Sequence, residues 1–349
     1  MATIISTATA TPPYRIAQEQ VKQVLQEVFR LDPRQQAVMA SLFDHAQVKQ
    51  RYLSLPLNEI VQPSSLGERN QQYQEHVIGL GRRVAGECLQ RAGMNPADVD
   101  ILVTTSCTGY MIPSLDAYLI DELGFRSDIR RLPITELGCL AGAAALARAR
   151  DMVLAIPGAR ALVIAVELSS LTFQRGDHSL SNLVSCALFG DGAAAALITA
   201  EDAPGAQILD TRSCFISGTL DAMGFDLRDT GFHMVLAKSV PDLLRRQLTE
   251  PLGLLLDRHG LSLEQIESFA LHPGGKKILE HLEEELRIPR QKTQPSWDVL
   301  RNYGNLSSAT ILFVLHEWLT AHRPATASYG IAAGFGPGLS AELLLLRWL

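Results

Sequence analysis

No apolar run in this chain approaches the roughly 20 residues that a membrane-spanning helix requires, so a membrane span is not expected. There is no excess of positive charge. The 31 lysines and arginines stand against 37 aspartates and glutamates, a net charge of −6, which gives no electrostatic footing for nucleic acid. Cysteine is sparse. Cys88, Cys107, Cys139, Cys186 and Cys214 are spaced like neither metal ligands nor a redox pair, so no metal site and a reduced, cytoplasmic protein are expected. No glycine-rich loop ends in Lys-Ser or Lys-Thr, which excludes that phosphate-cradling motif. The opening Met1-Ala2-Thr3-Ile4-Ile5-Ser6 lacks a basic segment followed by a long apolar one, and reads as a first strand rather than a signal peptide. What remains is a globular composition, 47% hydrophobic and 19% charged, over 349 residues. That length gives two domains' worth of core, or one large duplicated domain.

Against this background three short segments stand out: Gly138-Cys139-Leu140-Ala141-Gly142, His272-Pro273-Gly274-Gly275 and Tyr303-Gly304-Asn305-Leu306-Ser307-Ser308. Each carries one chemically distinctive side chain in a run of small or apolar residues. A thiol, an imidazole and a carboxamide suit thioester chemistry. The thiol carries an acyl group, and the other two donate hydrogen bonds to an enolate oxygen.

Two of these segments are related. Gly304–Ala309 lies over Gly138–Ala143 with Cys139 matched to Asn305, a shift of 166 residues (139 to 305). Ala161–Val166 answers Ala327–Ala332 at the same shift, and Asp98–Val103 answers Gln265–Ala270 at 167 (98 to 265). Three blocks in one order at nearly one offset indicate an internal duplication. The expected halves are residues 1–203 and 204–349, joined in the polar stretch Glu201–Gly205, with Cys139 and Asn305 facing one shared site. Strands at Ile101–Thr105, Ala161–Glu167 and from Asp191 alternate with helices at His76–Ala92 and Leu140–Ile156, and residues 15–50 read as helical. The expected architecture is a layered α/β fold.

Cys139 falls where a loop meets the Ala-rich helix, and free amides at a helix N-terminus favour thiolate. His272 follows an apolar strand and precedes a turn, a common station for active-site groups. Each has a plain alternative. A free cysteine is often a small buried hydrophobe, a histidine a satisfied core residue, and Asn305 an N-cap. The glycines of Gly334-Phe335-Gly336-Pro337-Gly338 are read as allowing close backbone approach to a neighbouring reactive group.

With these residues the chain resembles the type III polyketide synthases, the chalcone synthase-like branch of the thiolase superfamily. The likeness extends to Leu188-Phe189-Gly190-Asp191-Gly192-Ala193 and Gly334-Phe335-Gly336-Pro337-Gly338-Leu339. It implies a thiolase-like, duplicated αβαβα fold and a malonyl-CoA-dependent acyltransferase with no permanently bound cofactor. By the same resemblance Cys139 is the acyl-carrying nucleophile, and His272 and Asn305 stabilise the enolate left when malonyl thioester loses carbon dioxide. Phe189 and Phe232 match gatekeeper aromatics, and Cys107, Ser169, Thr172, Met223 and Ser307 fall on pocket-shaping positions. A homodimer is implied, with Ile112 crossing to the partner's cavity.

The departures are informative. In plant relatives a basic cluster early in the chain holds CoA phosphates, whereas Val38–Lys49 here is poor in such residues and has Ser41 and His45 in their place. Lys276 and Lys277 either take over that role or form a solvated helix start. An acyl carrier protein or fatty acid synthase is therefore a candidate starter donor beside free CoA thioesters. Cys107 replaces a hydroxyl residue of plant enzymes, resembling some bacterial members. The expected reaction is iterative decarboxylative Claisen condensation on a fatty acyl starter, with cyclisation to an alkylpyrone or alkylresorcinol. The rivals are an initiating β-ketoacyl synthase making one condensation, a chalcone synthase-like enzyme with an aromatic starter, and an inactive thiolase-fold subunit. The ketoacyl synthases typically carry His-Gln-Ala-Asn where this chain has His-Pro-Gly-Gly, and Pro337 also points to the polyketide branch.

Overall fold

A computed structural model describes all residues 1–349. The chain begins with strands β1 (Thr3–Ala10) and β2 (Tyr14–Ala17), helices α1 (Gln18–Phe29) and α2 (Pro33–His45), strand β3 (Gln50–Leu53) and the one-turn α3 (Leu57–Ile60). The long α4 (Leu66–Ala92) leads to β4 (Ile101–Thr105), α5 (Leu115–Leu123), β5 (Arg130–Ile134), α6 (Ala141–Ala155), β6 (Arg160–Leu168), α7 (Leu180–Leu188) and β7 (Asp191–Thr199). Then come β8 (Ala206–Phe215), the hairpin β9 (Met223–Arg228) and β10 (Gly231–Leu236), α8 (Val240–Asp257), β11 (Ile266–Leu271), α9 (Lys276–Glu285) and α10 (Gln294–Tyr303). The chain closes with α11 (Thr310–Thr320), β12 (Tyr329–Gly336) and β13 (Ser340–Trp348).

Nine strands share one hydrogen-bonded sheet in the order β11-β12-β13-β8-β1-β7-β6-β4-β5. Read outward from the β8–β1 junction, the sheet repeats itself. Each side runs antiparallel, antiparallel, parallel, with β1-β7-β6-β4 answering β8-β13-β12-β11. Only Thr3↔Gln207 and Ile4↔Ala206 pair across the junction, so the halves are free to fold over the helices between them. Helices α6 and α11 pack on strands of both halves and form the central layer. Outside them α4 covers β1, β6 and β7, while α8 covers β8 and β13. This is the layered αβαβα arrangement of the thiolase-like fold.

The central layer is tight because its residues are small. Alanines of α6 are buried with Ile311–Leu315 of α11 in the largest apolar cluster. A Cβ at Gly142 would lie 2.1 Å from the Ser308 carbonyl oxygen, so only glycine permits this helix crossing. That crossing brings the N-termini of α6 and α11, and hence Cys139 and Asn305, to one place.

Two element expectations are corrected. The helix expected to begin at His76 begins at Leu66, where Ser65 and Glu68 form a capping box. The polar run Glu68-Arg69-Asn70-Gln71-Gln72 conceals its first turns from a periodicity reading. Residues 15–50 are two helices with flanking strands, broken where Arg30 turns left-handed (φ 47°) and Asp32-Pro33 caps the second helix.

Candidate functional site

A cavity of about 730 Å³ opens between α7, the β9–β10 hairpin and the start of α9. Cys139, His272 and Asn305 all border it, although 133 residues separate the first two in sequence (139 to 272). Phe189, Cys107, Ser169, Thr172, Met223 and Ser307 also border it. Lys276 and Lys277 line it together with Ser41 and His45.

Cys139 sits in a single 3-10 turn, Gly138–Leu140, directly before α6. The glycine run opposite does what the sequence reading requires of it, since a Cβ at Gly336 would lie 2.5 Å from the Leu140 Cβ. The thiolate expectation fares differently. Burial pushes the Cys139 thiol up to about 12, outweighing the hydrogen bonds from Ser307 and Asn305 that pull it down. His272 is 1% exposed and burial lowers it to about 4, so its ring is neutral at pH 7. With the thiol pushed up and the imidazole pushed down, the proton rests on sulfur in the free site and leaves only as the sulfur attacks.

Asn305 is 2% exposed, and its amide has a fixed orientation. Its Oδ1 accepts from the Ser307 amide (2.8 Å) and the Thr310 hydroxyl (3.3 Å), while Nδ2 donates weakly to the Gly274 carbonyl (3.4 Å). The N–H side is therefore the side turned to His272-Pro273-Gly274. His272 is set at the end of β11 by a bond from its amide to the Ala333 carbonyl (2.8 Å), and its Nδ1 is enclosed without a partner. Two neutral donors thus border the cavity with the Cys139 thiol.

Beneath Cys139 lies a network that sequence reasoning missed. Glu167 is fully buried at the end of β6 and accepts from Thr108 Oγ1 (2.9 Å), the Cys107 amide (3.1 Å), the Ser308 amide (3.3 Å), Ser106 Oγ (3.4 Å) and, closely, Ser308 Oγ. Burial raises its pKa. The Ser307 hydroxyl lies 3.2 Å from Cys107 Sγ and 3.5 Å from Cys139 Sγ, between the two sulfurs. Ser307 holds a left-handed backbone (φ 49°), a conformation that costs a serine energy and aims its amide at Asn305. A lone glutamate in the otherwise apolar Ala161–Leu168 was the available signal.

One expected lining residue lies elsewhere. Phe232 does not border the cavity. It stacks on Tyr110 (5.9 Å between centroids) and meets Phe225 edge-on (5.6 Å), and it is Phe225 that borders the cavity. Ile112 is 99% exposed, outside the cavity of its own protomer. Lys238, at the end of β10, lines the mouth and was not anticipated.

Comparison with known proteins identifies the class. The family model for chalcone and stilbene synthases, N-terminal domain, matches residues 1–202, and the corresponding C-terminal domain matches residues 207–349. The chain belongs to this family and is a type III polyketide synthase, a malonyl-CoA-dependent acyltransferase. A 1,3,6,8-tetrahydroxynaphthalene synthase of Streptomyces peucetius subsp. caesius is 38% identical over 345 residues, covering 97% of this chain and 91% of the relative. A putative chalcone synthase of Bacillus subtilis (strain 168) is 35% identical over 361 residues, covering 100% and 99%. The crystal structure of 1,3,6,8-tetrahydroxynaphthalene synthase from Streptomyces coelicolor A3(2) superimposes with a TM-score of 0.96 at 32% identity, covering 99% of each chain. No helix is long and apolar enough to cross a membrane.

Proposed function

We propose that this synthase loads an aliphatic, fatty acyl-type starter onto Cys139, extends it with malonyl-CoA in repeated rounds, and closes the product to an alkylpyrone or alkylresorcinol. The observation that carries this reading is the cavity itself. Leu180, Val184, Met223, Phe225, Met234 and Leu236 give it a largely apolar wall, and the Cys139–His272–Asn305 set lies at its border. A volume of about 730 Å³ behind such a wall suits a flexible aliphatic chain.

The chemistry follows from the geometry. Cys139 Sγ attacks the starter carbonyl; its proton passes to His272 and then to the departing thiol, leaving an acyl-cysteine. Malonyl-CoA binds next, and the bond between its α-carbon and carboxylate breaks. Carbon dioxide leaves, and the electron pair forms an enolate whose oxygen accepts from Asn305 Nδ2–H and a ring N–H of His272. Donors already aimed at developing charge in a dry cavity need no reorganisation. Phe189 offers the carboxylate no polar partner, which favours its loss. The enolate carbon attacks the acyl-cysteine, a carbon–carbon bond forms, the carbon–sulfur bond breaks, and the chain leaves on CoA for another round at Cys139.

Lys238, Lys276 and Lys277 stand at the mouth, where the phosphates of CoA or of a carrier-bound pantetheine would pass. Lys276 is 3.4 Å from Glu280, and Lys238 and Lys277 make no ion pair, so those two are the free cations there. The almost fully exposed Ile112 supports a homodimer in which this side chain enters the partner's cavity. A second reading is favoured by the relatives named 1,3,6,8-tetrahydroxynaphthalene synthase, namely a hydroxylated naphthalene product without an alkyl tail.

The test is incubation with labelled malonyl-CoA alone, and with acetyl, long-chain fatty acyl and coumaroyl starters on CoA and on a carrier protein. Cyclised products bearing the fatty acyl tail support the main reading. Tail-free aromatic products from malonyl-CoA alone support the second. A single β-ketoacyl product refutes both.

A further inference from the structure

Arg51, on β3, is 2% exposed and bonds to carbonyls rather than carboxylates. Its Nη1 donates to the carbonyls of Cys186 (2.7 Å) and Phe189 (2.7 Å). Its Nη2 donates to the carbonyl of Ala187 (2.8 Å) and, closely, to Gln18 Oε1, while Gln18 Nε2 reinforces the Ala187 carbonyl (2.9 Å). These carbonyls end α7, whose last turn has no basic residue of its own. A buried cation is costly unless such dipoles solvate it, and a helix C-terminus is where they converge.

The segment it holds is joined to the candidate site on its other side. The Asn305 amide donates to the Leu188 carbonyl (2.8 Å), and the Gly190 amide donates to the Asn305 carbonyl (3.0 Å). Phe189 and Asn305 thereby form a parallel β-bridge. A Cβ at Gly304 would lie 2.5 Å from the Leu188 carbonyl oxygen, so the two backbones have no room to slide. The aromatic said to face the malonyl carboxylate and the amide said to face the enolate oxygen are one clamped unit, and its third side is Arg51.

We propose that Arg51, supported by Gln18, is a positioning residue for decarboxylation: its fork of hydrogen bonds holds Leu188–Gly190, and through that turn Phe189 and Asn305, in their working register. The inference rests on the roles given above to Phe189 and Asn305. Arg51 itself does not border the main cavity. A lysine there keeps the charge but loses the fork that bonds three carbonyls at once.

The test measures malonyl-CoA decarboxylation (kcat and KM separately) in wild type, Arg51→Lys and Gln18→Leu, beside the rate at which iodoacetamide alkylates Cys139 and the melting temperature. For Arg51→Lys the expected result is a kcat lower by about 10- to 100-fold, as for a misplacement near 1 Å, with KM and Cys139 alkylation within about threefold of wild type. Gln18→Leu is expected to shift the same ratio in the same direction by less, and it serves alone if Arg51→Lys fails to fold. Unchanged decarboxylation in either folded variant would overturn the inference. So would a decline in alkylation, decarboxylation and melting temperature together, which marks a merely structural prop. A wild-type enzyme that does not decarboxylate malonyl-CoA would overturn the roles of Phe189 and Asn305 along with it.

Discussion

Asn305→Asp is the sharpest perturbation of the candidate site because it changes one atom's role and little else. The carboxylate is nearly isosteric with the amide. One of its oxygens still accepts from the Ser307 amide and the Thr310 hydroxyl, the bonds that orient Asn305 now at 2.8 and 3.3 Å. What is lost is the N–H turned toward the His272 loop, replaced by an oxygen that repels a developing enolate. Removal of one such preorganised donor costs about 10²- to 10³-fold in rate, or about 2.7–4 kcal/mol. The assay is release of labelled carbon dioxide from malonyl-CoA under saturation, with Cys139 alkylation and circular dichroism as controls for an intact site. A burial like that of Asn305 favours the protonated acid, whose O–H is again a donor, so part of the lost rate returns as pH is lowered. A folded variant that decarboxylates within about tenfold of wild type at pH 8 would refute the assignment of Asn305 as an enolate donor.

Other expectations follow from the same geometry. Burial lowers His272 from 6.5 to about 4, so decarboxylation should hold its rate from pH 8 to near pH 5, without a step at 6.5; a pH–rate profile reads this directly. The folded protein binds fewer protons at His272 than the unfolded chain between pH 4 and 6.5. This group therefore leaves stability unaffected above 6.5 and reduces it by up to about 3 kcal/mol as pH falls through that window, visible in urea midpoints. Gly142→Ala places a methyl 2.1 Å from the Ser308 carbonyl and 2.7 Å from Ile311 Cγ2. It should destabilise the protein by about 3 kcal/mol, since backbone cannot yield as a side-chain tip does, and urea denaturation measures it.

The candidate thiol, imidazole and carboxamide were legible because each is one chemically distinctive side chain in a run of mostly small or apolar residues, where packing alone gives no reason for it. The duplication was legible because β4, α6 and β6 recur as β11, α11 and β12 with their backbones nearly in register, and the mirrored sheet order is its physical expression. Other features depend on partners far away in sequence. Arg51 and Glu167 look like stray charges until residues 135 and 141 positions distant supply their hydrogen bonds. Phe232 shares a strand face with Met234 and Leu236, which line the cavity, but it lies beyond the cavity's end, against Tyr110 from a distant loop. Periodicity selects the face and says nothing of where along the strand a cavity stops. Helix-end charge at Cys139 was visible in the sequence, whereas the burial that opposes it and pushes the thiol up was not.

The central claim is that Cys139 carries the growing chain while Cys107, whose sulfur shares the Ser307 hydroxyl with it, does not. Peptide mass spectrometry after brief exposure to a fatty acyl-CoA starter tests this most directly. The predicted result is the acyl mass on the peptide containing Cys139, and none on any peptide of a Cys139→Ala variant. Acylation that persists in that variant on the Cys107 peptide would contradict the account.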